Sequence, residues 1–147
     1  MLIKKPLSSY HPILYWVRVN QKRAFKRIEW LFSSKKYCKE YNTEPLSFRY
    51  IKHTSKLIRQ LGDSDIQLQH NKVINLKIAA QHLNGILIPP QSYFSFCFLV
   101  GKPTKRRGFV EGMELSHGEA RKGIGGGICQ LSNMIHWMSL HSPLQVV

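Results

Sequence analysis

The sequence predicts an α+β fold, a small mixed sheet with helices, led by a basic amphipathic helix. Three observations predict it. Apolar residues recur at spacings of three and four in three separated stretches. Short apolar runs bounded by Gly and Pro lie between the last two of these. Strands and helices do not alternate in the regular order that a parallel βαβ sheet requires. At 147 residues the chain is long enough for one core, since a domain of about 150 residues buries roughly 70% of its unfolded surface.

Residues 1–40 are set apart by charge as a basic helical segment, and residues 41–147 form the domain proper. Between Pro12 and Lys39, Leu14, Val17, Phe25, Ile28 and Phe32 are interleaved with Arg18, Lys22, Arg23, Lys26, Arg27, Lys35, Lys36 and Lys39. This spacing places an apolar stripe on one side of a helix and the cations elsewhere. Such a helix can lie on an anionic membrane surface, with Tyr15, Trp16 and Trp30 suited to the interface, or pack on the domain with a solvated basic face.

A polar stretch, YCKEYNTEP, leads to LSFRYIKHTSKLIR, where Phe48 and Tyr50 alternate with charged neighbours and predict an exposed strand. Gly62 to Asp65, GDSD, signals a turn. The next helix is expected to be capped by Asn71, to carry the stripe Val73, Leu76, Ala80 and Leu83, and to end at a left-handed Gly85. ILIPP predicts a buried strand stopped by Pro89 and Pro90, and SYFSFCFLVG a further apolar strand or turn. Gly108 and Gly112 around Phe109 and Val110 suggest a short hairpin. A final helix is expected from about Ile128 to Leu140.

Composition bounds the function. A hydrophobic share of 43% and a charged share of 20% are those of a folded protein rather than a disordered one. Twenty-two Lys and Arg against eight Asp and Glu give a net charge of +14, which favours polyanionic partners such as lipid headgroups, cell-wall polymers or nucleic acid. Nucleic acid is the weakest of these, because the basic aromatic segments FRYIKH and AFKRIEWLF belong to no recognised nucleic-acid module. Cys38, Cys97 and Cys129 form no CxxC pair and are odd in number, which argues against a zinc site and a disulfide framework and favours a reducing compartment. No cofactor or metal is implied. No apolar run reaches about 18 residues, and the N-terminus does not read as a cleavable signal peptide, so the expected location is cytoplasmic, peripheral at the inner membrane face.

The segment with chemical potential is GIGGGICQLSNMIHW, Gly123 to Trp137. It lacks the Gly-Lys-Ser/Thr ending of a phosphate-binding loop and does not spell GxGxxG after a strand. Gly125, Gly126 and Gly127 free the backbone for positive φ and close approach, and a helix opening just after them would offer unpaired N–H groups to an anion or an oxyanion. Cys129 would sit in the first turn, where the dipole favours thiolate, although Cys is also a common buried small hydrophobe. His136 lies seven residues on, about 10 Å along a helix axis, too far to act as its base. Ser132 and Asn133 are close but not basic. A base would have to come from elsewhere, with His117 and His82 as candidates, whereas capping suffices for His141. The spacing of Glu111, Glu114 and Glu119 identifies no acid–base pair.

GGGICQLSNMIHWMSLHSPL, together with NKVINLKIAAQHLNGILIPPQSYFSF and LVGKPTKRRGFVEG, resembles the VanW family from about Asn71 to the last residue. The carrying motifs are an FSF element, a Gly-rich turn and GGG-x-CQ-x-S at Gly125 to Ser132. Where the family reads Pro-Gly-Glu before FSF, this chain reads Pro90-Gln91-Ser92. The family continues with a strand, an Arg and a His-containing segment, whereas this sequence stops at SPLQVV, so an incomplete member is expected. The resemblance implies an accessory protein linked to glycopeptide resistance and the cell envelope, without supplying a reaction. The expectation is therefore a protein that binds a cell-wall peptide or precursor through Gly125, Gly126, Gly127, Gln130 and Ser132. The alternatives are a cysteine-dependent hydrolase or transferase, with Cys129 as nucleophile and His117 as base, and a basic module for membrane surfaces or nucleic acid centred on residues 12–39.

Overall fold

The computed structural model describes residues 11–58, 65–116 and 119–147. The fold is α+β: helices α1 (Pro12–Phe32), α2 (Ile66–Gln81), α3 (Phe96–Val100) and α4 (Cys129–Leu140) with one antiparallel hairpin of β1 (Glu111–Ser116) and β2 (Glu119–Ile124). The hairpin register pairs Glu111 with Ile124 and Gly112 with Gly123. Ala79, Val100 and Phe109 form the buried centre, with Ile78, Leu83, Phe96, Ile124, Ile128 and Leu131 packed around them. The core is thus assembled from α2, α3, α4 and the edges of the hairpin, which fixes where α4 begins.

Helix α1 starts at Pro12, where the missing N–H costs nothing, and the His11 ring accepts the Ile13 N–H at 3.2 Å. None of its residues is buried. Its firmest contact with the domain comes near its C-terminus, where Trp30 packs edge-on against Phe98 with ring centroids 5.5 Å apart. The chain then runs along residues 85–93. Cys38 N–H donates to the Tyr93 carbonyl at 3.0 Å, Leu87 N–H to Glu40 at 2.9 Å, and Asn42 N–H to Gly85 at 2.8 Å. Tyr37 stacks on Phe98, and Cys38 is buried beside the Ser92 hydroxyl.

Several sequence expectations change. The second helix begins five residues before Asn71, at Ile66, and Asp65 caps it by accepting the Gln67 N–H at 2.9 Å. Asn71 lies inside the helix, with its side-chain amide donating to the Glu111 carbonyl. The buried face is Leu68, Gln69, Asn75, Leu76 and Ala79, so of the expected stripe only Leu76 is fully buried. Gly85 does take the left-handed φ of 79° just beyond the helix. Phe48 and Tyr50 are 79% and 64% exposed in an extended segment without a ladder, so the exposed strand does not form. ILIPP contributes a single antiparallel bridge, Ile86 to Tyr41, rather than a strand. SYFSFCFLVG is resolved by Ser95, whose side chain accepts the Phe98 N–H and opens α3. The hairpin is displaced: Gly108 terminates a 3-10 turn over Lys105–Arg107, and Gly112 lies inside β1.

Candidate functional site

The glycine segment is a backbone crossing. Gly125, Gly126 and Gly127 are buried, and a Cβ on each would overlap a different neighbour: Pro103, the backbone of Gly112, and the Lys72 side chain. Gly125 and Gly127 also have positive φ, 80° and 91°. Gly126 has no room for a side chain because another stretch of main chain touches it, and Gly125 and Gly127 take dihedrals that favour glycine. Asn75 of α2 locks the crossing. Its side-chain amide donates to the carbonyls of Val110 at 3.0 Å and Gly126 at 2.9 Å, and its oxygen accepts the Val110 N–H at 2.9 Å. This buried Asn is fully satisfied and ties together α2, the entry to β1 and the entry to α4.

The crossing delivers α4 with Cys129 as its first residue and Ile128 as an N-cap that offers no side-chain acceptor. Cys129 is exposed, and among the described residues no side chain hydrogen-bonds its sulfur. The Gln130 amide donates to the Ser55 hydroxyl at 3.0 Å, which ties the start of α4 to the extended segment after Tyr50. The Ser132 hydroxyl donates to the Cys129 carbonyl at 2.9 Å. His117 lies outside the described residues. His82 is committed elsewhere: its Nε2 is 2.9 Å from an Arg107 guanidinium nitrogen, and since arginine only donates, that ring nitrogen accepts. His141 caps α4, with Nδ1 2.8 Å from the Trp137 carbonyl and its ring stacked on Trp137. Glu114 pairs with Arg121 at 2.7 Å and Glu111 lies 3.9 Å from Lys105, both in exposed positions. Among the described residues no cluster of His, Cys, Asp and Glu is arranged to hold a metal.

Beside α4 runs a groove of about 860 Å³ lined by Phe94 and Phe96, by Ser132, Ile135, His136 and Ser139 of α4, and by residues 143–147. Two stretches far apart in the chain therefore meet here, Phe94 and Phe96 with Ser132; of the expected contact residues Ser132 lines the groove, and Gly125, Gly126, Gly127, Cys129 and Gln130 do not. Sequence reasoning missed the groove because its aromatic wall reads as a strand. It also missed Asn75, although a polar residue next to Leu76 on the helix predicted from Asn71 was a visible signal. Cys129, Ser132 and His136 follow the same stripe of α4 at spacings of three and four.

The VanW like protein family model matches residues 71–147. The chain is 32% identical over 144 residues to the vancomycin B-type resistance protein VanW of Enterococcus faecalis (strain ATCC 700802 / V583), covering 98% of this chain and 52% of that protein. It is also 32% identical over 73 residues to the uncharacterized protein YoaR of Bacillus subtilis (strain 168), covering 50% of this chain and 24% of that one. The chain thus spans about half the length of the first relative and about a quarter of the second. No solved structure matches it significantly. With the family model covering more than half of its residues, and with the glycine crossing, Cys129 and the groove all inside the matched region, the chain belongs to the VanW family.

Proposed function

We propose that this protein is a VanW-type accessory protein of glycopeptide resistance whose α4 groove binds a cell-wall peptide or its lipid-linked precursor. The carrying observation is the meeting of the Phe94–Phe96 element with Ser132 and His136 across one open groove. Aromatic rings beside hydroxyls and an imidazole suit a short peptide, whose apolar side chains need a wall and whose amides need donors and acceptors. The likeness to the Enterococcus vancomycin B-type resistance protein supplies the link to vancomycin resistance. Calorimetric titration with muropeptides tests the reading. Ser132→Trp, which fills the groove, is expected to weaken binding by about tenfold or more, about 1.4 kcal/mol. Unchanged affinity in that variant, or no binding by the parent chain, rejects the groove.

A second reading is favoured by the exposure of Cys129 at the first residue of α4. In it the thiol is the nucleophile of a hydrolase or transferase acting on the same peptides, with Gln130 or nearby backbone N–H groups at the oxyanion and His117 as base. Cys129→Ser separates the two. Retained affinity without any product from the parent chain supports binding, and a product formed by the parent and lost in the variant supports catalysis.

A further inference from the structure

The apolar face of α1 points away from the domain. At about 100° per residue, Leu14, Val17, Phe25, Ile28, Leu31 and Phe32 fall within an arc of about 120°, interrupted by Gln21, and Trp30 lies nearly opposite its middle. Trp30 is the residue that packs on Phe98. The six arc residues are 48% to 83% exposed, so the domain covers none of them. A helix packed on its own domain with a solvated basic face would show the reverse, with the stripe turned inward.

The charge beside this arc is predominantly positive. Arg18 and Arg27 border it on its two sides, and Lys22, Arg23 and Lys26 occupy much of the remaining face. The single carboxylate of the helix, Glu29, is held by Lys26 at 2.8 Å. Trp16 and Tyr15 lie about 120° and 140° from the middle of the arc, beyond the bordering arginines, and add nothing to it. Among the described residues no helix is long and apolar enough to cross a membrane, so a spanning role for α1 is not on offer.

We propose that α1 docks the protein on an anionic lipid bilayer, lying in the plane of the surface with the Leu14–Phe32 arc in the acyl boundary and the flanking arginines and lysines on lipid phosphates. The two features have distinct tasks. Apolar area supplies insertion, and the cations select the sign of the surface and bring the helix to it. A second copy of this chain would cover an apolar arc equally well, but two such helices would bring their bordering arginines together and repel, whereas an anionic surface complements them. A nucleic acid would use the cations and leave the arc in water.

The full chain can be tested by co-sedimentation with vesicles of phosphatidylglycerol and phosphatidylcholine in equal parts, against vesicles of phosphatidylcholine alone. Retention is expected on the anionic vesicles, weak retention on the neutral ones, and a decline with rising salt. The double variant Phe25→Glu with Leu31→Glu is expected to lower partitioning by about tenfold or more. Both side chains are exposed, so the thermal midpoint of the domain should remain that of the parent. Retention left unchanged by the double variant would overturn the proposal, since charge alone would then suffice on vesicles as on duplex DNA. A parent chain that is dimeric in solution and is made monomeric by the same variant would overturn it too, by giving the arc to a second copy.

Discussion

Asn75 offers the sharpest test of how the crossing is held. It is completely buried, and Asn75→Ala leaves the Val110 N–H and the Gly126 carbonyl without the partners they have now. The Val110 carbonyl keeps one donor, the Gly125 N–H at 3.0 Å. Each orphaned buried group costs about 1–3 kcal/mol, so the two together predict a loss of about 2–6 kcal/mol. Against a total stability of about 5–15 kcal/mol this is severe. At about 4 kcal/mol the thermal midpoint would fall by roughly 8–16 °C in a domain of this size. Asn75→Asp sharpens the argument. Its carboxylate could still accept the Val110 N–H, but it would turn a second oxygen toward two carbonyls, so the acid's native pKa would be raised. Its penalty is then full above the native pKa, fades as pH falls, and is absent below the unfolded value of about 3.9. Urea unfolding of parent, Ala and Asp variants across pH measures all of this. A loss below about 1 kcal/mol for Ala, or an Asp variant that does not recover relative to the parent as pH falls, would refute the locking role.

Two further substitutions should stabilise the fold. Gln91 carries a φ of 58°, in the left-handed region that favours glycine. Gln91→Gly is expected to raise stability by about 0.5–1 kcal/mol, after allowing for glycine's greater unfolded-state freedom, and to move the urea midpoint upward. Gln69 is 1% exposed, and among the described residues neither polar atom of its amide has a hydrogen-bond partner. Gln69→Met, which keeps the length and removes the polar group, should add about 1–3 kcal/mol by the same denaturation assay, and a loss of stability would show that the amide has a use.

What was legible in the sequence was set by local geometry. The expected final helix from Ile128 and the observed Cys129 differ by one residue, because a glycine run followed by a periodic segment leaves little choice of where a helix can open. Gly85 was legible for the same reason. The start of α2 was hidden because Asp serves turns and helix caps alike, so Asp65 reads as part of a GDSD turn until the following residues are seen to be helical. FCFLV is too short and too uniformly apolar to show a period, and only the Ser95 cap distinguishes α3 from a strand. Phe48 and Tyr50 alternate correctly for a strand, but a strand needs a partner, and pairing is not a property of one segment. Gly112 reads as a turn signal because most strand glycines weaken a ladder. Its reason is a contact with Gly126, far along the chain, which no local pattern records. The groove was invisible for a related cause: Phe94 and Ser132 become neighbours only when α4 has been placed by that contact.

The meeting of Gly112 with Gly126 also limits how the protein can change. When two side chains collide, a smaller residue on one side can make room for a larger one on the other. Here a side chain at either position would strike the other's main chain, and there is nothing smaller than glycine to substitute in reply. The two positions are therefore closed to compensation. The strand that precedes the tip of the hairpin and the turn that launches Cys129 can vary around this point but cannot trade volume across it.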